Sequence, residues 1–402
     1  MSILAPEYTV FAGENTWNEL FVALRSLLYC GIGDIRKFEN EFSNYVGVNH
    51  AVTFGAGRMA LFAILRSLGI TAGDEVVLQA FTCNVVPRAI IAAGGKPVYT
   101  DININDFNVD VAELEKKISN KTKAIILQHT FGVAPDIERI QKIIGDKEIA
   151  VIEDCAHAFK PAGIEKFKNQ TWFSFFSTDH TKPINTHVGG VACTNSDEYA
   201  IKIRALQDKA CDLSILEKKR MVLSFVAEYL SHRPKLYPFL KYLMLIVVKL
   251  KLPFVWPDNH KISENQGLFK FTDFQAKLGL SQIKRIHENI EHRKYIFNVL
   301  EKAVGWYGGK KNIPVLRYPF LVRNRSEYLA MLDKNVSKSV WFDSPVSGGE
   351  DCYAEVQYEK GSCPNAENVA DHIVNISVNT KLPKQVVDNI VRTIRPDDVV
   401  RG

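Results

Sequence analysis

The chain has 402 residues, a length that predicts two to three domains and a substantial buried core. With 46% hydrophobic and 24% charged residues it has the make-up of an ordinary soluble globular protein, which excludes disorder over most of its length and the low-complexity and collagen-like classes. A net charge of +5 is too small an excess to indicate nucleic-acid binding.

Residues 1–11 lack the basic start and apolar run of a secretory signal, so a cytoplasmic protein is expected. Seven cysteines run from Cys30 to Cys363 with no Cys-x-x-Cys pair and no histidines at zinc spacing. That pattern predicts reduced thiols, with neither a disulfide framework nor a metal site.

From 46 to 195 the pattern alternates. β-rich runs at 51–54, 75–81, 96–102, 123–131, 149–155 and 190–195 are separated by helical stretches at 58–68, 109–118 and 136–144, the first stopped by Gly69. This predicts an α/β layer around a largely parallel sheet. Between 213 and 256 eight basic residues face two acidic ones, a net +6, so the rest of the chain sums to −1. The apolar run at 242–248, fenced by Lys241 and Lys249, is far short of a membrane span. The segment reads as amphipathic helices broken near Pro234–Pro238, packing on the protein or resting on an anionic membrane surface. Farther on, Phe274, Leu278, Ile283, Ile286, Ile290 and Phe297 recur at helical spacing up to Gly305, which predicts one long helix. Strands at 313–322 and 375–378 and a helix at 385–394 then predict a smaller α+β domain.

Three elements carry chemistry. The small-residue turn at 55–61 leads from a strand into a helix, where Gly57 and Arg58 offer an anion site, although such turns are common without one. In the run 151–159 a buried strand ends in Glu153 and Asp154, placing a carboxylate where ligands of open α/β folds collect. Its partner is a ligand nitrogen, a metal or an arginine. Third, Ser177, Thr178, Asp179, His180, Thr181 and Lys182 stand between an aromatic run and Gly189-Gly190. By spacing alone Lys182 reads as a surface residue and Asp179 and His180 as turn residues.

The phosphate turn, then Glu-Asp-Cys-Ala-His at 153–157, then Phe176-Ser177, four residues, Lys182, six residues and Gly189-Gly190, resembles the DegT/DnrJ/EryC1/StrS family of pyridoxal-phosphate-dependent sugar aminotransferases. Matching segments at 38–52, 73–82, 120–132, 274–286 and 363–370 extend the resemblance through most of the chain. It implies an aspartate-aminotransferase-like fold: a large cofactor domain at 1–212, a basic helical insert at 213–262, and the long helix with a small C-terminal domain at 263–402. The resemblance also implies a cofactor, pyridoxal 5'-phosphate, and a homodimer with its active site between subunits. Lys182 would hold the cofactor as a Schiff base and move the proton. Asp154 would pair with the ring nitrogen, His157 would lie by the ring or its phenolic oxygen, and Gly57, Arg58 and Ser177 would cradle the phosphate.

The implied reaction moves an amino group from glutamate or glutamine to a keto sugar, with a nucleotide-linked acceptor expected. A few relatives carry His at the lysine position and dehydrate a sugar; Lys182 favours transamination. Two rival readings are a dehydratase or lyase on this fold and a non-catalytic binding protein that kept it. The chain departs from the family in three places. Cys83 stands where an aromatic residue usually stacks on the cofactor. Leu268-Phe269-Lys270 replaces Asn-Tyr-Arg, leaving Lys270 as a point charge toward the neighbouring subunit's phosphate. The insert is longer and more apolar than the family leads one to expect.

Overall fold

The computed structural model describes residues 15–28, 34–231, 267–332, 340–380 and 382–400. The chain opens with α1 (Trp17–Leu28), α2 (Asp34–Val46), β1 (His50–Phe54), α3 (Gly57–Ser67), β2 (Glu75–Gln79), α4 (Val85–Ala92) and β3 (Lys96–Thr100). Next come α5 (Val111–Lys117), β4 (Thr122–Gln128), α6 (Ile137–Ile144), β5 (Ala150–Asp154), β6 (Trp172–Ser177), β7 (Gly190–Thr194), α7 (Asp197–Lys209) and α8 (Ile215–Ser231). The remainder holds α9 (Asp273–Ile283), α10 (Ile286–Val304), β8 (Arg317–Leu321), α11 (Arg325–Met331), α12 (Glu350–Tyr353), α13 (Pro364–His372), β9 (Ile373–Ser377) and α14 (Lys384–Thr393).

Local chemistry sets several boundaries. Asp110 accepts from the N–H groups of Ala112 and Glu113 to start α5, and Thr272 with Gln275 forms a capping box on α9. Gly305, at φ 68°, ends α10 in the left-handed conformation that glycine adopts without strain. At α3 the N-cap is Ala56, which has no side-chain oxygen, so the first N–H groups of that helix have no side-chain cap.

The strands form one seven-stranded sheet, order β1-β7-β6-β5-β4-β2-β3, and a separate antiparallel pair, β8-β9. Only β7 runs against the others in the large sheet. Both faces are covered: Ala124, Ile126 and Ile152 enter one apolar cluster, while Ile125, Leu127 and Val151 enter the other. Alternation along a strand sends neighbours to opposite faces, and burial of both faces makes these strands apolar throughout. The aromatic run 172–177, not counted among the strands from sequence, is β6, with Phe173 and Phe175 on one face and Trp172 and Phe176 on the other.

The single long helix expected from 274 to 305 is two helices, α9 and α10. The chain turns at Lys284 and Arg285, where Arg285 has φ −114° and ψ 9°. No Pro or Gly marks the break; long-range contacts hold it. Gln282 accepts from the Asn185 N–H at 2.7 Å, and Arg285 pairs with buried Glu19 at 2.7 Å. In the basic insert, residues 215–231 form α8, whereas the Pro234–Pro238 break and the 242–248 run lie outside the described residues. Among the described residues no helix is long and apolar enough to cross a membrane.

Candidate active site

The carboxyl ends of β5 and β6 and the start of α3 meet at one edge of the sheet. Gly190 pairs with Phe54 on one side and Ser177 on the other, which brings the turn after β1 against the end of β6. The approach is close enough to require glycine. A Cβ on Gly190 would lie 2.4 Å from Gly57 N, and one on Gly57 would lie 3.1 Å from Ser177 Cβ. Gly57, Arg58 and Ser177 therefore come together at the uncapped end of α3. Arg58 is partly buried, and its buried Nε and Nη2 make no hydrogen bond among the described residues. A guanidinium held this way beside open helix N–H groups suits an anion.

Asp154 and Glu153, adjacent in sequence, have different fates. Glu153 accepts from Trp172 Nε1 (2.8 Å), Gly163 N (2.9 Å), Ala162 N (2.7 Å) and pairs with His129 (2.7 Å), so its oxygens are consumed by structure. Asp154 is buried at the strand end and accepts from Ala156 N at 2.9 Å. Burial pushes its carboxyl up to about 6, against the opposing pull of that N–H, Lys182 and His129.

Lys182 lies on the loop between β6 and β7. That loop is fixed from outside: Asn289 of α10 donates to Pro183 O at 2.9 Å, Gln282 of α9 accepts from Asn185 N, and Thr178 and Thr186 share a 2.6 Å hydrogen bond across its base. Burial lowers the Lys182 pKa, Arg317 adds to that, and Asp179, Cys83 and Asp154 pull the other way. Asp179 accepts from the N–H and hydroxyl of Thr181, in keeping with the turn reading. Burial first, and then Lys182 and Arg317, hold the His157 imidazole far below its ordinary value. Its Nδ1 accepts from Phe131 N at 3.3 Å, which assigns the ring proton to Nε2. Phe131 and Phe81, at strand ends beside the site, both have positive φ, 57° and 62°.

Two residues escaped the sequence reading. Arg317 of β8 is fully buried, donates to Asn375 Oδ1 at 2.6 Å, and is pulled by burial down to about 9. Trp341 lies beside it: Arg317 Cζ is 4.0 Å and Lys182 Nζ 4.6 Å from the Trp341 ring centroid, and the His157 ring stacks on it at 5.4 Å. The one signal for Arg317 was a charge inside an otherwise apolar strand; Trp341 had none. Cys83 accepts from Ser347 at 3.6 Å and offers no ring. Lys270 is half-buried in a segment whose Phe269 carbonyl accepts from Gly55 N at 2.8 Å, so it borders the α3 turn.

The sequence matches the DegT/DnrJ/EryC1/StrS aminotransferase family over residues 14–229 and 258–395. It is 29% identical to the spore coat polysaccharide biosynthesis protein SpsC of Bacillus subtilis, covering 92% of this chain and 90% of that one. Over 44% of this chain and 48% of the other it is 35% identical to the GDP-perosamine synthase of Vibrio cholerae. Among solved structures, a DegT DnrJ EryC1 StrS aminotransferase from Brucella abortus superposes with TM-score 0.69 at 20% identity, over 95% of this chain and 96% of that one. Helicobacter pylori PseC, an aminotransferase of pseudoaminic acid biosynthesis, gives 0.69 at 18% identity over 95% and 97%. The architecture is the aspartate-aminotransferase-like fold, as the resemblance implied.

Proposed function

The chain belongs to the DegT/DnrJ/EryC1/StrS aminotransferase family, and from that premise we propose that it moves an amino group from glutamate or glutamine to a nucleotide-linked keto sugar. The observation that carries this reading is the pair of opposite groups, half-buried Lys182 and buried Asp154, beside the open end of α3. The named activity of relatives such as GDP-perosamine synthase supports a sugar acceptor.

Pyridoxal 5'-phosphate fits the residues present. Arg58, whose buried Nε and Nη2 make no hydrogen bond among the described residues, and the uncapped α3 N-terminus suit its phosphate, with Ser177 alongside. Asp154 suits a protonated ring nitrogen, and the Nε2–H of His157 suits an anionic ring oxygen. When bound, the cofactor supplies the electron sink for loss of a proton next to nitrogen. Lys182 would anchor it and, with its amine free, would take and return that proton at Nζ, aided by its lowered pKa. Trp341 covers the site as the ring that Cys83 does not provide. Arg317, buried on that ring, is placed to receive a substrate carboxylate.

The homodimer reading finds support in an exposed apolar stripe, Trp17, Phe21, Leu24 and Leu28, at helical spacing along α1. A second copy of the chain is its proposed occupant, and Lys270 the proposed contribution to the neighbour's site. Sedimentation of the purified chain tests this; flotation with anionic vesicles by a monomer points instead to the membrane reading.

The deciding experiment is the visible spectrum with added pyridoxal phosphate, before and after glutamate, beside Lys182→Ala. A band near roughly 410–430 nm that needs Lys182 and shifts with glutamate establishes the first half-reaction. Folded protein with no band puts the non-catalytic reading first. A band with product formed but no glutamate consumed points to a dehydratase or lyase.

A further inference from the structure

His180 and His187 stand on either side of Lys182 in the β6–β7 loop, and both turn Nδ1 to one carboxylate, Glu228 of α8. His180 Nδ1 lies 3.3 Å and His187 Nδ1 3.2 Å from the same atom, Glu228 Oε2. The three donor atoms all lie within 4.8 Å of one another. Nitrogen and oxygen ligands about 2.0–2.1 Å from a tetrahedral ion are about 3.3 Å apart, so both contacts to Glu228 have the spacing of ligands that share a metal.

Hydrogen bonding does not account for all of this geometry. The His187 side chain is 6% exposed and its Nδ1 is buried, yet despite the 3.2 Å separation that nitrogen makes no aligned hydrogen bond among the described residues. His180 turns its other nitrogen, Nε2, to Asp179 Oδ1 at 3.6 Å. A carboxylate behind a histidine ligand is the usual outer partner that fixes the ring and its tautomer. The other grouping of this kind, His129, Glu153 and Cys155, offers no comparable opening, because Glu153 already accepts from Trp172, Ala162 and Gly163 besides meeting His129.

We propose that His180, His187 and Glu228 form a binding site for a divalent transition metal, zinc by donor set, that clasps both ends of the Lys182 loop to α8. Two imidazoles and one carboxylate favour zinc over magnesium or calcium, which prefer all-oxygen sites. The clasp joins the loop to Glu228, more than forty residues downstream on α8. It stands whether or not the aminotransferase reading holds, since none of the three ligands is assigned to cofactor or substrate.

The full chain is stripped with chelator, loaded with zinc, dialysed and assayed for metal. About one zinc per chain is expected to remain in the wild type and almost none in His187→Ala or Glu228→Ala. His187→Gln and Glu228→Gln, closer in shape, serve the same purpose where an alanine variant fails to fold. Cys155→Ser is expected to keep the metal. Zinc, but not magnesium, is expected to raise the unfolding temperature of the wild type and to leave that of Glu228→Gln unchanged. Wild type that retains no zinc, or ligand variants that retain as much as wild type, would overturn the proposal.

Discussion

Asp154, the proposed partner of the ring nitrogen, works against the fold that holds it. Its carboxyl, pushed from 3.8 to about 6, is more easily protonated in the folded chain than in the unfolded one. Its contribution to stability therefore falls as pH rises from 3.8 through about 6, and keeping it charged above that range costs roughly 3 kcal/mol. Asp154→Asn is expected to stabilise the cofactor-free protein at pH 8 by up to roughly that amount in denaturant unfolding, while weakening cofactor binding at least tenfold. A destabilised Asn variant would show that the charge is not strained. In the wild type, cofactor affinity is expected to fall about tenfold per pH unit below about 6, as protonation removes the ring nitrogen's partner, and equilibrium titration between pH 5 and 8 reads this directly. Trp341 gives a second handle: if it covers the cofactor, binding quenches its fluorescence, and Trp341→Leu loses both the quench and several-fold in affinity.

At the scale of elements, the lysine loop owes its shape to helices remote in sequence. Gln282 sits where α9 gives way to α10, and its side-chain oxygen accepts from Asn185 N while its amide donates to Asn15 Oδ1. Gln282→Ala leaves a buried N–H without that partner, an expected loss of about 1–3 kcal/mol by thermal unfolding, with a larger effect on the rate than on substrate binding. Gly190→Ala is expected to be worse. Its Cβ would meet backbone atoms of Ala56 and Gly57 at 2.4–2.5 Å, so β1 and β6 cannot both keep their pairing with β7, and little soluble protein should result. Helical periodicity across 274–305 was legible, but the break was not, because it depends on what Gln282 and Arg285 touch rather than on a breaking residue. Likewise the aromatic run 172–177 is a strand because both its faces are covered, a condition set by its neighbours.

Across the whole molecule, one apolar cluster runs from the sheet into the C-terminal segment, joining Phe81 and Phe131 to Tyr318, Phe320 and Ile373. That continuity carries Arg317 and Trp341 to a lysine more than a hundred residues earlier in the chain. The proposed completion of the site by a second subunit makes a further expectation. Mixing inactive Lys182→Ala and Lys270→Ala chains under exchange conditions should restore about a quarter of wild-type activity, since half the dimers are mixed and each holds one intact site. A mixture with no activity, despite exchange shown by mass spectrometry, places Lys270 outside the neighbour's site.

The sequence by itself determined the alternating α/β half, because strand and helix periods are short-range features that survive in the order of residues, and its ordered motifs carried the resemblance to the family, whereas by spacing alone Lys182 read as a surface residue. Only the tertiary structure decided which of two adjacent carboxylates stays available, that the ring of Trp341 meets both Lys182 and Arg317, and that two loop histidines share a glutamate of α8. Those outcomes depend on burial and on distances across the fold, and neither is written in the spacing of residues along the chain.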